Sequence, residues 1–162
     1  MNHFAGIIAL TLLLVGCASS ASGPKFQDSS FATQPVGAGK GRIIFYREAD
    51  SNFRAATLGI GGSTVGAVGH RQFSVVDVAP GDHSVSAWAR YSGTGEYSLD
   101  ITVVPGETYY VRVSRRPERS AQAAAGPAAV VFLIVDRKGH FKLELVPARI
   151  ALVDLEELNL SE

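Results

Sequence analysis

The chain has 162 residues and a mass of 17.1 kDa, with 15 Lys and Arg against 15 Asp and Glu, 46% apolar residues and a single Cys. This length suits one domain with a core of its own, and the composition excludes collagen, coiled coil and a disordered polar chain. A formal charge of zero supplies no excess to draw nucleic acid or anionic lipid, so no nucleic-acid partner is expected, and one Cys forms no internal disulfide.

Phe4 to Gly16, FAGIIALTLLLVG, is an uncharged run of 13 residues ahead of Cys17, where a membrane-spanning helix needs about 20. It has the length of the apolar part of an export signal, although Met1-Asn2-His3 brings little positive charge. Cys17 then reads as a lipid-attachment site, as part of a signal cut by the ordinary peptidase, or as a structural Cys after a core helix. The Ser- and Gly-rich stretch that follows argues against the last. Leu14-Val15-Gly16-Cys17, with Ala18 next, resembles the lipobox of bacterial lipoproteins. That resemblance implies a signal peptide over 1–16, cleavage between Gly16 and Cys17, a diacylglyceryl group on the thiol and, in many species, an acyl chain such as palmitate on the new amine. Each buried CH₂ contributes about 0.8 kcal/mol and one chain binds only marginally, so two or three chains on one residue anchor firmly. Ala18, in place of Asp, implies by the same resemblance an outer-membrane lipoprotein on the periplasmic face. No other cofactor is expected.

Ala18 to Gly41 holds five Ser, four Gly and two Pro with no sustained period, and reads with Cys17 as a lipidated, flexible linker over 17–41. As a random coil it would span about 27 Å. Phe26 and Phe31 within it read as incidental. From Arg42 the chain changes to short β-like runs punctuated by Gly and Pro. Strands are predicted at 42–47, 57–60, 64–68, 73–78, 83–90, 97–104, 108–115, 129–136 and 141–146. Val85, Ala87 and Ala89 oppose Ser84, Ser86 and Trp88; Val111 and Val113 oppose Arg112 and Ser114; Phe141, Leu143 and Leu145 oppose Lys142 and Glu144. Ala129 to Val135 is continuously apolar and reads as a central strand covered on both faces, hairpinned to Phe141–Val146. Ala148, Ala151, Leu152, Leu155 and Leu158 mark a helical face within Pro147 to Leu160, with late acids that favour fraying of its last turn. The predicted fold, over 42–160, is an antiparallel β-sandwich or barrel-like sheet with a short C-terminal helix.

Val78-Ala79-Pro80-Gly81-Asp82-His83 and Val103-Val104-Pro105-Gly106-Glu107-Thr108 are two like turns, each expected to reverse the chain between strands. With GRIIFYR, LGIGGSTVGAV, FSVVDVAPGDHSVSAWA and PGETYYVRVS in that order, the chain resembles a family of bacterial lipoproteins with a domain of unknown function. The PGDH turn is also similar to PEGA-type surface β-modules. The resemblance implies fold and no activity. Its shared positions Phe45, Tyr46, Arg47, Pro80, Gly81, His83, Tyr109, Tyr110 and Arg112 read as architecture, and Gly61-Gly62 stands where Asn-Gly or Asp-Gly is usual.

Catalysis has no positive signal. The glycines of GIGGSTVGAVG are followed by no helix pattern and read as a hairpin, not as a dinucleotide motif. His70, His83 and His140 are isolated, with no metal-ligand spacing. His83 beside Asp82, Asp77 and Ser84 imitates hydrolase components, but adjacent strand residues point to opposite faces. Candidate recognition residues are His83 in its turn and the basic cluster Arg115, Arg116 and Arg119, which suits lipid headgroups, lipopolysaccharide phosphate or an acidic partner. Trp88, Tyr91, Tyr97, Tyr109 and Tyr110 read as core or as an exposed aromatic face, with Trp88 on the side opposite Val85. The expected function is therefore a lipid-anchored, non-enzymatic envelope domain that binds or supports another protein, glycan or lipid component. The alternatives are a cell-envelope enzyme assembled only in three dimensions and a carrier of small apolar ligands between the sheets.

Overall fold

The computed structural model describes residues 23–50, 54–90, 95–116 and 139–161. Strands form where β-branched and aromatic residues alternate with polar ones: Gly41–Arg47 (β1), Ala56–Ile60 (β2), Ser63–Val68 (β3), Gln72–Val78 (β4), Gly81–Ala89 (β5), Tyr97–Val103 (β6), Thr108–Arg115 (β7), Phe141–Val146 (β8) and Asn159–Leu160 (β9), with one α-helix among the described residues, Ala148–Leu155 (α1), and two short 3-10 turns, Phe26–Asp28 and Ser30–Ala32. They make a β-sandwich of a five-stranded sheet, β8-β7-β1-β4-β9, and a four-stranded sheet, β3-β2-β5-β6. Most neighbours are antiparallel, as predicted, but β1 pairs with β7 and β4 with β9 in parallel. The chain leaves β1 for the second sheet, returns beside β1 as β4, crosses again and returns on the other side of β1 as β7, entering from the same end as β1.

The inner faces meet in one apolar cluster that includes Phe45, Leu58, Val85, Val111 and Phe141, all fully buried. A second cluster covers the outer face of the larger sheet, where Ile44, Tyr46, Phe73 and Val146 pack against Ala151 and Leu155 of α1, Leu158 and Phe26. The result is three layers: sheet, sheet, and a third of helix and N-terminal segment. β1 lies between two of these interfaces and all seven of its residues are buried. Its inward residues, Ile43 and Phe45, fill the first cluster, and its outward ones, Ile44 and Tyr46, fill the second. The strand expected to hold this doubly covered position, 129–136, lies outside the described residues.

Both ends of β1 bury an arginine. Arg42 is 3% exposed; its Nε and Nη2 donate to Asp77 at 2.7 and 3.1 Å, its Nη1 donates to the Gln34 carbonyl at 2.8 Å, and its guanidinium lies 5.5 Å from the Phe31 ring. The Arg42 hydrogen bonds hold the Asp77 carboxyl below the usual carboxylate range, against the opposing effect of burial. Arg47 is fully buried; Nε and Nη2 clamp Asp50 at 2.9 and 2.7 Å, and Nη1 donates to the Arg54 carbonyl at 2.6 Å. Its guanidinium also lies 5.1 Å from the Phe141 ring. A planar fork with five donors satisfies a carboxylate and a carbonyl together, which makes Arg the residue to bury here.

Three expectations are corrected. The segment read as a flexible linker is docked from Gly23 onward: Phe26 is 7% exposed and meets Phe73 edge-on at 5.3 Å, and its N–H donates to the Leu158 carbonyl at 3.0 Å. Two apolar rings and Arg42 give the segment a surface to bind, and this outweighs its Ser and Gly content. The helix is shorter than 147–160: Pro147 caps it, it ends at Leu155, and Asn159–Leu160 pairs with Gln72–Phe73. The open edge of β4 offers those residues backbone partners, whereas three acids beside the helix C-terminus oppose its continuation. Leu145 shares a face with Phe141 and Leu143 but is 48% exposed, because among the described residues β8 is an outer strand and nothing described covers its end.

The hairpin of β2 and β3 turns on Gly61 and Gly62, at φ +57° and +80°, as a type I′ turn requires. The two Pro-Gly turns act differently from the expected hairpins: Pro80-Gly81 carries the chain from the first sheet to the second, and Pro105-Gly106 carries it back. Gly81 has φ +123° and a Cβ there would meet nothing within 4 Å, so any substitution cost is conformational. Gly81→Val is expected to destabilise the domain by about 1 to 3 kcal/mol, read as a lower urea midpoint with unchanged slope.

Candidate binding groove

The outer face of the four-stranded sheet carries an open groove of about 860 Å³. Strand alternation builds its floor. Thr57 and Trp88 lie directly opposite in the β2–β5 ladder, and both point away from the core because their neighbours Leu58 and Ala87 are fully buried. The β2–β3 ladder is irregular here: Leu58 pairs with Gly66 and Gly59 with Thr64, so Val65 is an extra residue on β3. Such a bulge bends the strand and re-aims its side chains. Thr64, Gly66 and Ala67 then form one wall of the groove, and Arg54, Ala55 and Arg90 form its rim.

Glycine makes the room. A Cβ on Gly59 would lie 2.6 Å from Ser86 Oγ and 2.9 Å from Trp88 Cζ3, so the indole ring rests directly on the bare backbone of β2. The ring is thereby oriented by packing and remains partly exposed to the groove. Arg54 and Arg90 are both exposed, and the Arg54 carbonyl is the one held by buried Arg47, so the rim is fixed to the end of β1. The described lining has hydroxyl, indole and guanidinium groups and no carboxylate, imidazole or thiol.

The residues singled out from sequence are placed elsewhere. His83 begins β5 at the other end from Arg90, with Nε2 2.8 Å from the Ala79 carbonyl, so it ties its own turn together. Asp82 accepts from Thr102 Oγ1 at 2.6 Å and Asp77 is engaged by Arg42; the hydrolase-like residues are each bound to a different partner. Arg115 ends β7 opposite Phe141, and Arg116 donates to the Gly139 carbonyl at 3.4 Å, which places both at the end of the β7–β8 ladder. Arg119, Tyr91, Gly16 and Cys17 lie outside the described residues. Of the aromatics, Tyr109 takes the Val104 N–H at 3.0 Å and Tyr110 lies on the helix side, where burial raises its pKa. Only Trp88 among the described candidates lines the groove. Thr57, Thr64, Arg54 and Arg90 were not singled out from sequence; outward alternation in three strands was visible, but their pairing was not.

A polar cluster sits on the opposite side of the molecule, beside α1. Tyr46 donates to Asp154 at 2.8 Å, and Arg112 lies 3.5 to 3.6 Å from Glu48, Glu144 and Asp154. Burial first, and then the Asp154 hydrogen bond, raises the Tyr46 pKa, so this phenol is a donor throughout the ordinary pH range. Its chemistry is that of a clasp between helix and sheet. Among the described residues, no group of three or more His, Cys, Asp or Glu is placed to hold a metal ion, and no helix is long and apolar enough to cross a membrane.

No family model matches the chain, and no curated protein matches it. The groove therefore has to be read from its own chemistry.

Gly59→Ala tests the seating of Trp88. The added methyl is expected to displace the indole, shift the tryptophan emission and lower stability by about 1 to 3 kcal/mol while the domain still folds. As the chain's single Trp, residue 88 is the whole of that signal; an unchanged spectrum would mean that the ring does not rest on Gly59.

Proposed function

We propose that this protein is a lipid-anchored envelope protein whose β-domain is non-catalytic and binds another envelope component, an acidic glycan, in the groove over Trp88. The observation that carries the reading is one indole and two exposed arginines, Arg54 and Arg90, lining the same groove on a sheet face. A flat indole offers apolar area at little entropic cost, which suits the C–H face of a sugar ring. Guanidinium groups at the rim suit carboxylate or phosphate substituents, and the two Thr hydroxyls suit sugar hydroxyls. Anchoring is supported by the sequence Leu14-Val15-Gly16-Cys17 with its lipobox resemblance, and the outer membrane is the proposed location. An apolar carrier is disfavoured by the inner faces, where Phe45, Leu58, Val85 and Phe141 interdigitate at full burial and leave that space to side chains.

Titration with soluble peptidoglycan fragments and with lipopolysaccharide, beside a neutral glucan, tests the reading through Trp88 fluorescence. A saturable change with at least one acidic glycan and none with the neutral one is expected. Arg54→Ala with Arg90→Ala should weaken the response about tenfold or more in protein shown by its melting transition to be folded, as loss of two charge-assisted contacts implies. No response to any acidic glycan would overturn the ligand assignment. Separately, Cys17→Ser should abolish lipidation and leave uncleaved precursor or soluble product, and mass spectrometry finding unmodified Cys17 in the wild-type protein would overturn the anchor.

A further inference from the structure

We infer that the helix layer faces the lipid bilayer, with Ile150, Leu152 and Val153 resting on it, so that the Trp88 groove faces away from the membrane. This goes beyond the binding assignment and rests on the lipid attachment at Cys17 proposed above. Three observations carry it. First, the chain enters the described structure in the helix layer: Gly23 lies against Leu160, the Pro24 carbonyl accepts from Leu160 N–H at 2.8 Å, and Lys25 bridges to Asn159. Second, Gly23 is six residues from Cys17, a reach of at most about 21 Å whatever path the chain takes. A 24-residue free linker would have let the domain tumble, but docking of 23–40 removes that freedom and keeps this layer next to the acyl chains.

Third, three of the five large exposed apolar side chains among the described residues lie on α1; the other two, Val104 and Leu145, are on strand ends. Ala151 and Leu155 take the buried side of α1, yet Ile150, Leu152 and Val153 on its outer side are 42%, 42% and 65% exposed. An outward helix face normally carries charge. The neighbouring charge is mixed and close to balance: Glu157 pairs with Lys25 at 3.3 Å and Arg71 at 3.5 Å, exposed Arg149 adds a cation for headgroup phosphate, and exposed Glu156 at the helix C-terminus offsets it. Apolar residues of a short helix beside a tethered lipid have a surface to bury in, to the depth of an interfacial helix. The groove lies on the far face of the second sheet, one sheet spacing of about 10 Å plus the helix layer away, and is open to the opposite side.

The test uses full-length lipidated protein reconstituted into phosphatidylethanolamine–phosphatidylglycerol vesicles. A lipidated Cys17 carries a thioether, so a thiol introduced by Val153→Cys, or by Ser84→Cys on the far sheet face, is the one that takes an environment-sensitive fluorophore. The expected result is that the label at 153 is quenched by a lipid-phase quencher and shielded from an aqueous one, with the reverse at 84. Ile150→Asp with Leu152→Asp should return the 153 label to aqueous quenching while the protein still floats with the vesicles. Equal aqueous quenching at 153 and 84 in floating protein overturns the orientation and leaves the anchor standing. Shielding of 153 from both quenchers means that a second copy or another protein covers the face, which also overturns it. Failure to float, with unmodified Cys17, overturns the anchor and this inference together.

Discussion

Two guanidinium groups buried at the ends of one strand organise this domain. β1 is covered on both sides, so its charged termini cannot reach water and must find partners inside the protein. Arg42 finds Asp77 on the neighbouring strand and the Gln34 carbonyl, which fastens the N-terminal segment across the sheet. Arg47 finds Asp50 and the Arg54 carbonyl, which fastens the connection into the second sheet. Removing one partner of such a pair costs about 3 to 5 kcal/mol, because the other charge is left buried and uncompensated. The groove depends on this arrangement at one remove, since Arg54 stands on its rim.

The sandwich separates two tasks between its outer faces. The larger sheet is covered by α1 and by Phe26, which makes an extended second core and gives the N-terminal segment a fixed exit. Among the described residues nothing comparable covers β2 and β5 of the smaller sheet, and small residues there keep side-chain volume low enough for a groove to form around Trp88. A sheet face that is bare, rigid and provided with one aromatic ring is a good binding surface, since its residues lose little freedom on contact. The Pro-Gly corners serve this division by moving the chain between sheets twice, which is what makes β1 and β7 parallel neighbours within a mostly antiparallel fold.

Much of the fold was legible locally. Period-two alternation located strands β1 to β8 to within two residues at each end, and the Gly61-Gly62 hairpin followed from the need for two positive φ values. The docked N-terminal segment was not legible, because its Ser and Gly content describes its intrinsic flexibility and says nothing of the surface waiting for Phe26 and Phe31. The end of the helix was misjudged for a related reason: Leu158 keeps the helical spacing of its predecessors, but the free edge of β4 competes for Asn159 and Leu160. His83 drew notice from its neighbours in sequence and proved to bond its own turn.

What the sequence determined by itself was the β class, the short C-terminal helix, the inward and outward sides of most strands, and the presence of a lipobox-like motif at Leu14 to Cys17. These are properties of near neighbours along the chain, carried by period, turn chemistry and a contiguous motif. Only the tertiary structure decided that Thr57 faces Trp88, that a bulge on β3 brings Thr64 beside them, and that Arg54 and Arg90 meet at one rim. It also decided that Phe26 and its neighbours dock on the helix side of the larger sheet. Each of these depends on strand register and on which edges pair, and those are settled by the global burial of apolar faces, to which residues distant in sequence contribute together.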